Sequence, residues 1–202
     1  MSLEKLDLYQ LHKDEYITPK APTLVEIKPA RYLTITGRGE PGGAEFSTKL
    51  GALYNVVFTI KMEHKFAGKD YKVCKLEGLW WADKPHRDFL LEPKDKWNWK
   101  LIIRTPDFVT IDHLHKGIAK LREKGKSAEV SEVRLETIAE GLSVQMLHVG
   151  SYGKEEETIT RMKEYAADKG LKYHGLHHEI YLSDPRRVAE PRLKTILRNP
   201  VH

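Results

Sequence analysis

Apolar positions recur at helical spacing in three stretches. Phe46, Leu50, Leu53, Val57 and Ile60 predict a helix over residues 44–62. Ile111, Leu114, Ile118 and Leu121 predict a second, after the break at Pro106-Asp107. Ile159, Met162 and Ala166 predict a third over 155–169, which Gly170 stops. Between them lie segments rich in β-branched and aromatic residues, read as strands: 23–27, 31–37, 71–82, 97–104, 133–138, 142–150 and 173–183. Two pairs, 23–27 with 31–37 and 133–138 with 142–150, are separated by short links and predict β-hairpins. A short helix around Pro191–Leu197 is predicted to close the chain.

The order of these elements repeats. Each predicted hairpin ends at a glycine, Gly37 or Gly150, and leads through a short loop into a helix and then a strand. Both third strands end at an aspartate, Asp83 and Asp184. The pattern predicts an α+β fold built from a duplicated strand–strand–helix–strand unit, giving two antiparallel sheets with helices on one side. The expected organisation is an N-terminal extension over 1–22, lying on the outside, and one domain over 23–202. Within that domain, repeat one covers about 23–125 and repeat two about 132–202.

Composition narrows the class. With 202 residues and 40% hydrophobic content the chain can bury a sizeable core. The formal net charge is +5, but the lysines are interleaved with acids and apolar residues, as in Ala119-Lys120-Leu121-Arg122-Glu123-Lys124. No block of like charge marks a nucleic-acid partner. No apolar run approaches the roughly 20 residues that span a bilayer, so no membrane partner is expected. The first residues, Met1-Ser2-Leu3-Glu4-Lys5-Leu6-Asp7, have no leader-like apolar stretch, which predicts a cytoplasmic protein. Cys74 is the one cysteine, so no internal disulfide forms, and its strand-like setting reads as a structural thiol. Oligomeric state is not legible.

Alternation along a strand separates two faces of 176–182. Leu176, Ile180 and Leu182 share one, expected to pack on the helices; His177, Glu179 and Tyr181 share the other. Aligning Asp83 on Asp184 places Trp80 at the position of Tyr181, and the following strand adds Trp97 and Trp99 on a common face. Aromatic walls with one carboxylate suit a lipophilic, planar, often cationic aromatic guest. His174, His177 and His178 invite a metal reading, but His177 and His178 point to opposite faces and no third ligand joins them, so neither metal nor cofactor is expected. The glycine-rich loop 37–43 precedes a helix but lacks the Gly-Lys-Ser/Thr ending of a phosphate loop and reads as a turn. Ser151 and Ser183 lack the Gly-x-Ser-x-Gly pattern of a serine nucleophile.

Four segments carry a family resemblance: Leu76-Glu77-Gly78-Leu79-Trp80-Trp81, Pro106-Asp107-Phe108-Val109-Thr110, Leu147-His148-Val149-Gly150-Ser151-Tyr152, and the long stretch His177-His178-Glu179-Ile180-Tyr181-Leu182-Ser183-Asp184-Pro185-Arg186-Arg187. From about Leu24 onward the chain resembles the GyrI-like small-molecule-binding family. The resemblance implies a duplicated β-α-β-β module of the SHS2 type, with a ligand pocket between the repeats. It implies Glu179 as the anchor of the guest, and Tyr152, Trp80 and Trp81 as contacts; Trp99 and Tyr181 join them from the strand faces. Many relatives carry a helix-turn-helix ahead of this domain, for which 22 residues are too few. Some stand-alone relatives are hydrolases that open the strained cyclopropane of DNA-alkylating natural products. That chemistry would make Glu179 a general base, assisted by Tyr152.

Overall fold

The computed structural model describes residues 5–83 and 89–202. Four α-helices form, α1 (Leu8–Leu11), α2 (Ala44–Phe66), α3 (Ile111–Glu123) and α4 (Glu155–Asp168). Eight strands accompany them: β1 (Thr23–Ile27), β2 (Ala30–Arg38), β3 (Leu76–Trp81), β4 (Asn98–Arg104), β5 (Arg134–Ile138), β6 (Gly141–Val149), β7 (His177–Tyr181) and β8 (Lys194–Pro200). The fold is mixed α and β, and the three long helices lie where the apolar spacing placed them. Among the described residues no helix is long and apolar enough to cross a membrane. The strands follow one hydrogen-bonded order, β1-β6-β8-β7-β3-β4-β2-β5, and not the two separate sheets expected.

Neither predicted hairpin closes on itself. β1 pairs antiparallel with β6, from Thr23 opposite Gln145 to Ile27 opposite Gly141. β5 pairs antiparallel with β2, from Ala30 opposite Ile138 to Thr34 opposite Arg134. A two-residue hairpin needs positive φ in its turn. The ring of Pro29 fixes φ near −65° and so excludes a type I′ turn, and Lys28 stands where a type II′ turn calls for glycine, so the Lys28-Pro29 link does not favour folding β2 back on β1.

The described chain separates into two units. The first holds the described residues to Leu11, Ala30–Cys74 and Trp80–Ile138; the second holds His12–Pro29, Lys75–Leu79 and Ala139–His202. In the first unit Leu33, Ile35 and Gly37 of β2 stand opposite Ile103, Leu101 and Trp99 of β4. All the apolar members of this set are buried, as are Leu53, Val56, Val57 and Ile60 of α2. Burying each such side chain contributes roughly 1.5–3 kcal/mol. Gly37 is required by close approach: a Cβ there would stand 2.1 Å from Cη2 of the Trp99 ring. In the second unit Ile159, Met162 and Ala166 of α4 are buried with Val144, Met146 and Leu197.

The expected C-terminal helix is strand β8, antiparallel to both β6 and β7. Pro191 sits in a short 3₁₀ turn, Glu190–Arg192, and supplied a false helix-start signal. From Thr195 on β8 is buried on both faces, so it lacks the two-residue alternation that marks a half-exposed strand. Two other strands are shorter than predicted. Tyr71 makes only an isolated bridge to Leu6, and Tyr173 one to Val201.

One face of the second unit's strands carries a buried ionic cluster. His178 Nδ1 donates to Glu140 Oε1 (2.9 Å) and its Nε2 to Glu77 Oε2 (2.9 Å). Arg198 donates from Nη1 to Glu140 Oε2 (2.9 Å), from Nε to Gln145 Oε1 (2.8 Å) and from Nη2 to the Glu15 carbonyl (2.6 Å). Tyr16 O–H completes Glu77 at 2.9 Å. The N-terminal extension, expected on the outside, thus covers this cluster, and Tyr16 is 3% exposed. Burial alone would push His178 down, but the charges and hydrogen bonds of Glu140 and Glu77 outweigh it and hold the imidazolium at a pKa of about 9. Burial would likewise raise Glu140, but His178 and Arg198 hold it at about 2.

Removing one partner leaves a buried charge unpaired, so His178→Gln should cost about 3–5 kcal/mol, read as a fall in the urea midpoint. His178 contributes fully below its ordinary pKa of 6.5, and that contribution is lost as pH rises through about 9. Glu140 contributes above 4.5, and its share is lost as pH falls through about 2. Wild-type stability should therefore be highest near pH 4.5–6.5 and decline on both sides, and the mutant should lose the alkaline decline. A mutant retaining that decline would place its cause elsewhere.

Candidate functional site

The opposite face of β7 presents His177, Glu179 and Tyr181, the alternation read from the sequence. It is the face toward α4, not the helix-free face expected. A carboxylate oxygen of Glu155, in the first turn of α4, lies within 4.8 Å of one of Glu179, and His148 Nδ1 on β6 meets Thr158 Oγ1 of α4 at 2.9 Å. The helix lies here because the other face is taken by the ionic cluster, although Ile180 stands on that side.

Glu179 is 6% exposed and Glu155 5%. Tyr181 O–H donates to Glu179 Oε2 at 2.8 Å, and His177 Nε2 lies 3.5 Å from Glu179 Oε1. His177 Nδ1 is held 2.9 Å from Asn199 Oδ1 on β8, which fixes the ring. Burial, then the charge of Glu179 and the hydrogen bond to it, push the Glu155 carboxyl well above the usual carboxylate range. One donor atom from each of Glu155, His177 and Glu179 lies within 4.8 Å of the others, the one set among the described residues with metal-ligand spacing. Tyr181 already donates to Glu179 within this set. The metal reading had failed on His177 with His178; in the structure both His178 nitrogens are engaged on the other face.

Tyr152 stands at the rim, 39% exposed, with its ring edge-on to Tyr181 (centroids 5.9 Å, planes 84° apart). Burial, then the negative charge of Glu179, push its hydroxyl to a pKa of about 12. The turn that carries it is pinned by His148 Nε2, 3.1 Å from the Ser151 carbonyl. Tyr152, Tyr181 and Glu179 thus form a continuous path from solvent to the buried acid pair.

The predicted tryptophans belong to the first unit. Trp80 stacks on Phe46 of α2 (6.2 Å) and meets Trp97 edge-on (5.8 Å), and its buried Nε1–H has no hydrogen-bond partner. Trp99 is fully buried over Gly37, edge-on to Phe46 at 5.1 Å, and donates to the Gly39 carbonyl at 3.2 Å. Trp81 is half-buried. Sequence reading missed Glu155 and His177 as site members. Glu155 opens a Glu-Glu-Glu run that reads as ordinary dipole-favoured charge at a helix start, and only its burial distinguishes it.

The description of the GyrI-like small molecule binding domain matches residues 20–202. The chain belongs to the GyrI-like family. Among solved structures it is similar to an uncharacterized conserved protein from Listeria innocua, with 34% identity, 98% of this chain and 100% of that one covered, and a TM-score of 0.90. It is similar at the same identity and coverage, with a TM-score of 0.89, to a hydrolase encoded by lin2189 from Listeria innocua. The EcmrR C-terminal domain shares the fold at 13% identity and a TM-score of 0.55, over 90% of this chain and 96% of that one. No curated protein matches the chain. The GyrI-like match starts beyond Tyr16 and so leaves out part of the ionic cluster's cover, although Glu15 and Tyr16 are buried.

In this GyrI-like chain the Tyr152 shift should report the site's charge. Glu179→Gln removes a nearby negative charge, so the Tyr152 hydroxyl should titrate at lower pH in the mutant. The difference in tyrosinate absorbance between each protein and its Tyr152→Phe derivative measures this, and an unshifted curve would separate Tyr152 from Glu179.

Proposed function

We propose that this GyrI-like protein is a hydrolase of lipophilic, planar aromatic compounds carrying an electrophilic carbon, with Glu179 as general base for water. A strained cyclopropane in a DNA-alkylating natural product is the substrate type that fits best, and its opening would be a detoxification. The supporting observation is the placement of Glu179: a buried acid aligned by Tyr181 and set within 4.8 Å of a second buried carboxyl, Glu155. In the reaction water's oxygen bonds to the electrophilic carbon and the strained carbon–carbon bond breaks. Glu179 draws the proton from the attacking water and passes it to the substrate's acceptor group, to which the bonding pair moves. Tyr152 lies beside this path. Tyr152 and Tyr181 are assigned to ligand contact. The two hydrolases from Listeria innocua at 34% identity support an enzyme over a passive carrier.

A second reading is favoured by the negative charge held beneath two tyrosine rings. Such a site suits reversible capture of lipophilic aromatic cations in the cytoplasm, with Glu179 as a charge anchor and no chemistry. One experiment separates the two. The purified protein and Glu179→Gln are titrated with a fluorescent planar cation, then incubated with a cyclopropane-bearing aromatic electrophile. The hydrolase reading expects wild-type consumption that falls by about 10²–10⁴-fold in the mutant. Cation binding without consumption would leave the capture reading, with affinity lower in Glu179→Gln. Equal consumption by both proteins would remove Glu179 as the base.

A further inference from the structure

Glu155 is an acid where an acid should be readily ionised. It begins α4, and the amide groups of a helix N-terminus favour a negative charge in the first turn. Its surroundings oppose that. The side chain is buried, and its Oε1 has no hydrogen-bond partner, so no donor stabilises charge on that oxygen. An oxygen of another buried acid, Glu179, lies within 4.8 Å of a Glu155 oxygen. Two acid oxygens can share a hydrogen bond only if one of them carries the hydrogen. The other groups facing the pair have defined tasks: Tyr181 donates to Glu179, His177 is tied to Asn199, His148 holds Thr158 and Ser151, and Tyr152 caps the rim near Asp184. Among the described residues none of these is a lysine or arginine. The contrast with Glu140, which faces both His178 and Arg198, is direct.

We infer that Glu155 and Glu179 hold one proton between them and work as a single unit, in which Glu155 positions that proton and keeps Glu179 poised as a base. The inference rests on the hydrolase reading for its catalytic part only. In the hydrolytic step Glu179 takes a proton from the attacking water, so the pair briefly holds two. It then returns one to the anion formed where the strained bond broke. The pair ends with one proton and one charge, as it began, and no outside acid or base is consumed. Glu155 acts through Glu179 and is a positioning residue.

The test has a readout independent of turnover. In the infrared, wild type at neutral pH should show a neutral carboxylic-acid carbonyl band that is absent from Glu155→Gln, a variant that keeps the shape of the protonated acid. A difference spectrum showing an ionised carboxylate at that position would overturn the inference. With the electrophilic substrate, Glu155→Gln should lower kcat about 10²-fold and remove the alkaline limb of the pH–rate profile, where the shared proton is lost. A uniform fall at every pH, the mark of a purely structural role, would also overturn it. Glu155→Asp retains a titrating acid and should restore an alkaline limb; its failure to do so counts against the pair. The acid band without turnover in wild type would sink the hydrolase reading and leave the pair standing. Turnover without the band would do the reverse.

Discussion

The guanidinium of Arg198 and the imidazole of His178 are buried among acids, and the second unit is arranged around that fact. Moving such charges out of water costs several kcal/mol per ion, so each needs near-complete pairing. Glu140 and Glu77 supply the opposite charges, Gln145 and the Glu15 carbonyl take the remaining arginine donors, and Tyr16 closes the far side of Glu77. The segment ahead of β1 is ordered because it covers these groups. Strand β8 is fixed because it carries Arg198, and β7 because it carries His178 directly opposite.

The cluster therefore also sets the candidate site. Side chains alternate along β7, so a one-residue slip would drive His178 to the α4 face and carry Glu179 into the cluster. Each ring nitrogen of His178 meets an acid only in the native register. Neighbours on one strand thus experience opposite electrostatics. The acids facing His178 are compensated by cations, and Glu140 is held ionised. Glu155 and Glu179, on the other side of the same strand, face no lysine or arginine among the described residues and resolve their conflict with a proton. The difference lies in which face the backbone presents, not in residue type.

Much of this was legible in the sequence, and the rest was not for identifiable reasons. The three long helices follow from periodicity, and the grouping of His177, Glu179 and Tyr181 follows from alternation. The error about which side they face came from counting Ile180 and its apolar neighbours while overlooking His178, Arg198 and Gln145, whose partners come from distant segments such as Glu15 and Glu140. The hairpins were predicted from short links, but pairing in a sheet is a non-local choice, and Lys28-Pro29 is a poor sequence for the primed turns a tight hairpin uses. β8 resembled a helix because a strand buried on both faces has no alternation to read. Glu155 was hidden by its own surroundings in sequence, three consecutive glutamates at a helix start. Only packing shows that the first of the three is buried while Glu156 and Glu157 are exposed.

A buried pair of acids without a lysine or arginine is a poor choice for stability alone. An isosteric apolar or amide pair would satisfy the packing at less cost. Local conflicts of this kind are expected where a protein does chemistry, and the adjoining features agree with that account. Asn199 fixes the ring of His177, Tyr181 aligns Glu179, and His148 pins the turn that brings Tyr152 to the rim. Each of these polar side chains is used to orient another, with Tyr152 exposed at the rim. A carrier needs charge and aromatic surface, and gains nothing from an acid held neutral beside its anchor. A catalyst that must take a proton and give one back needs that second acid.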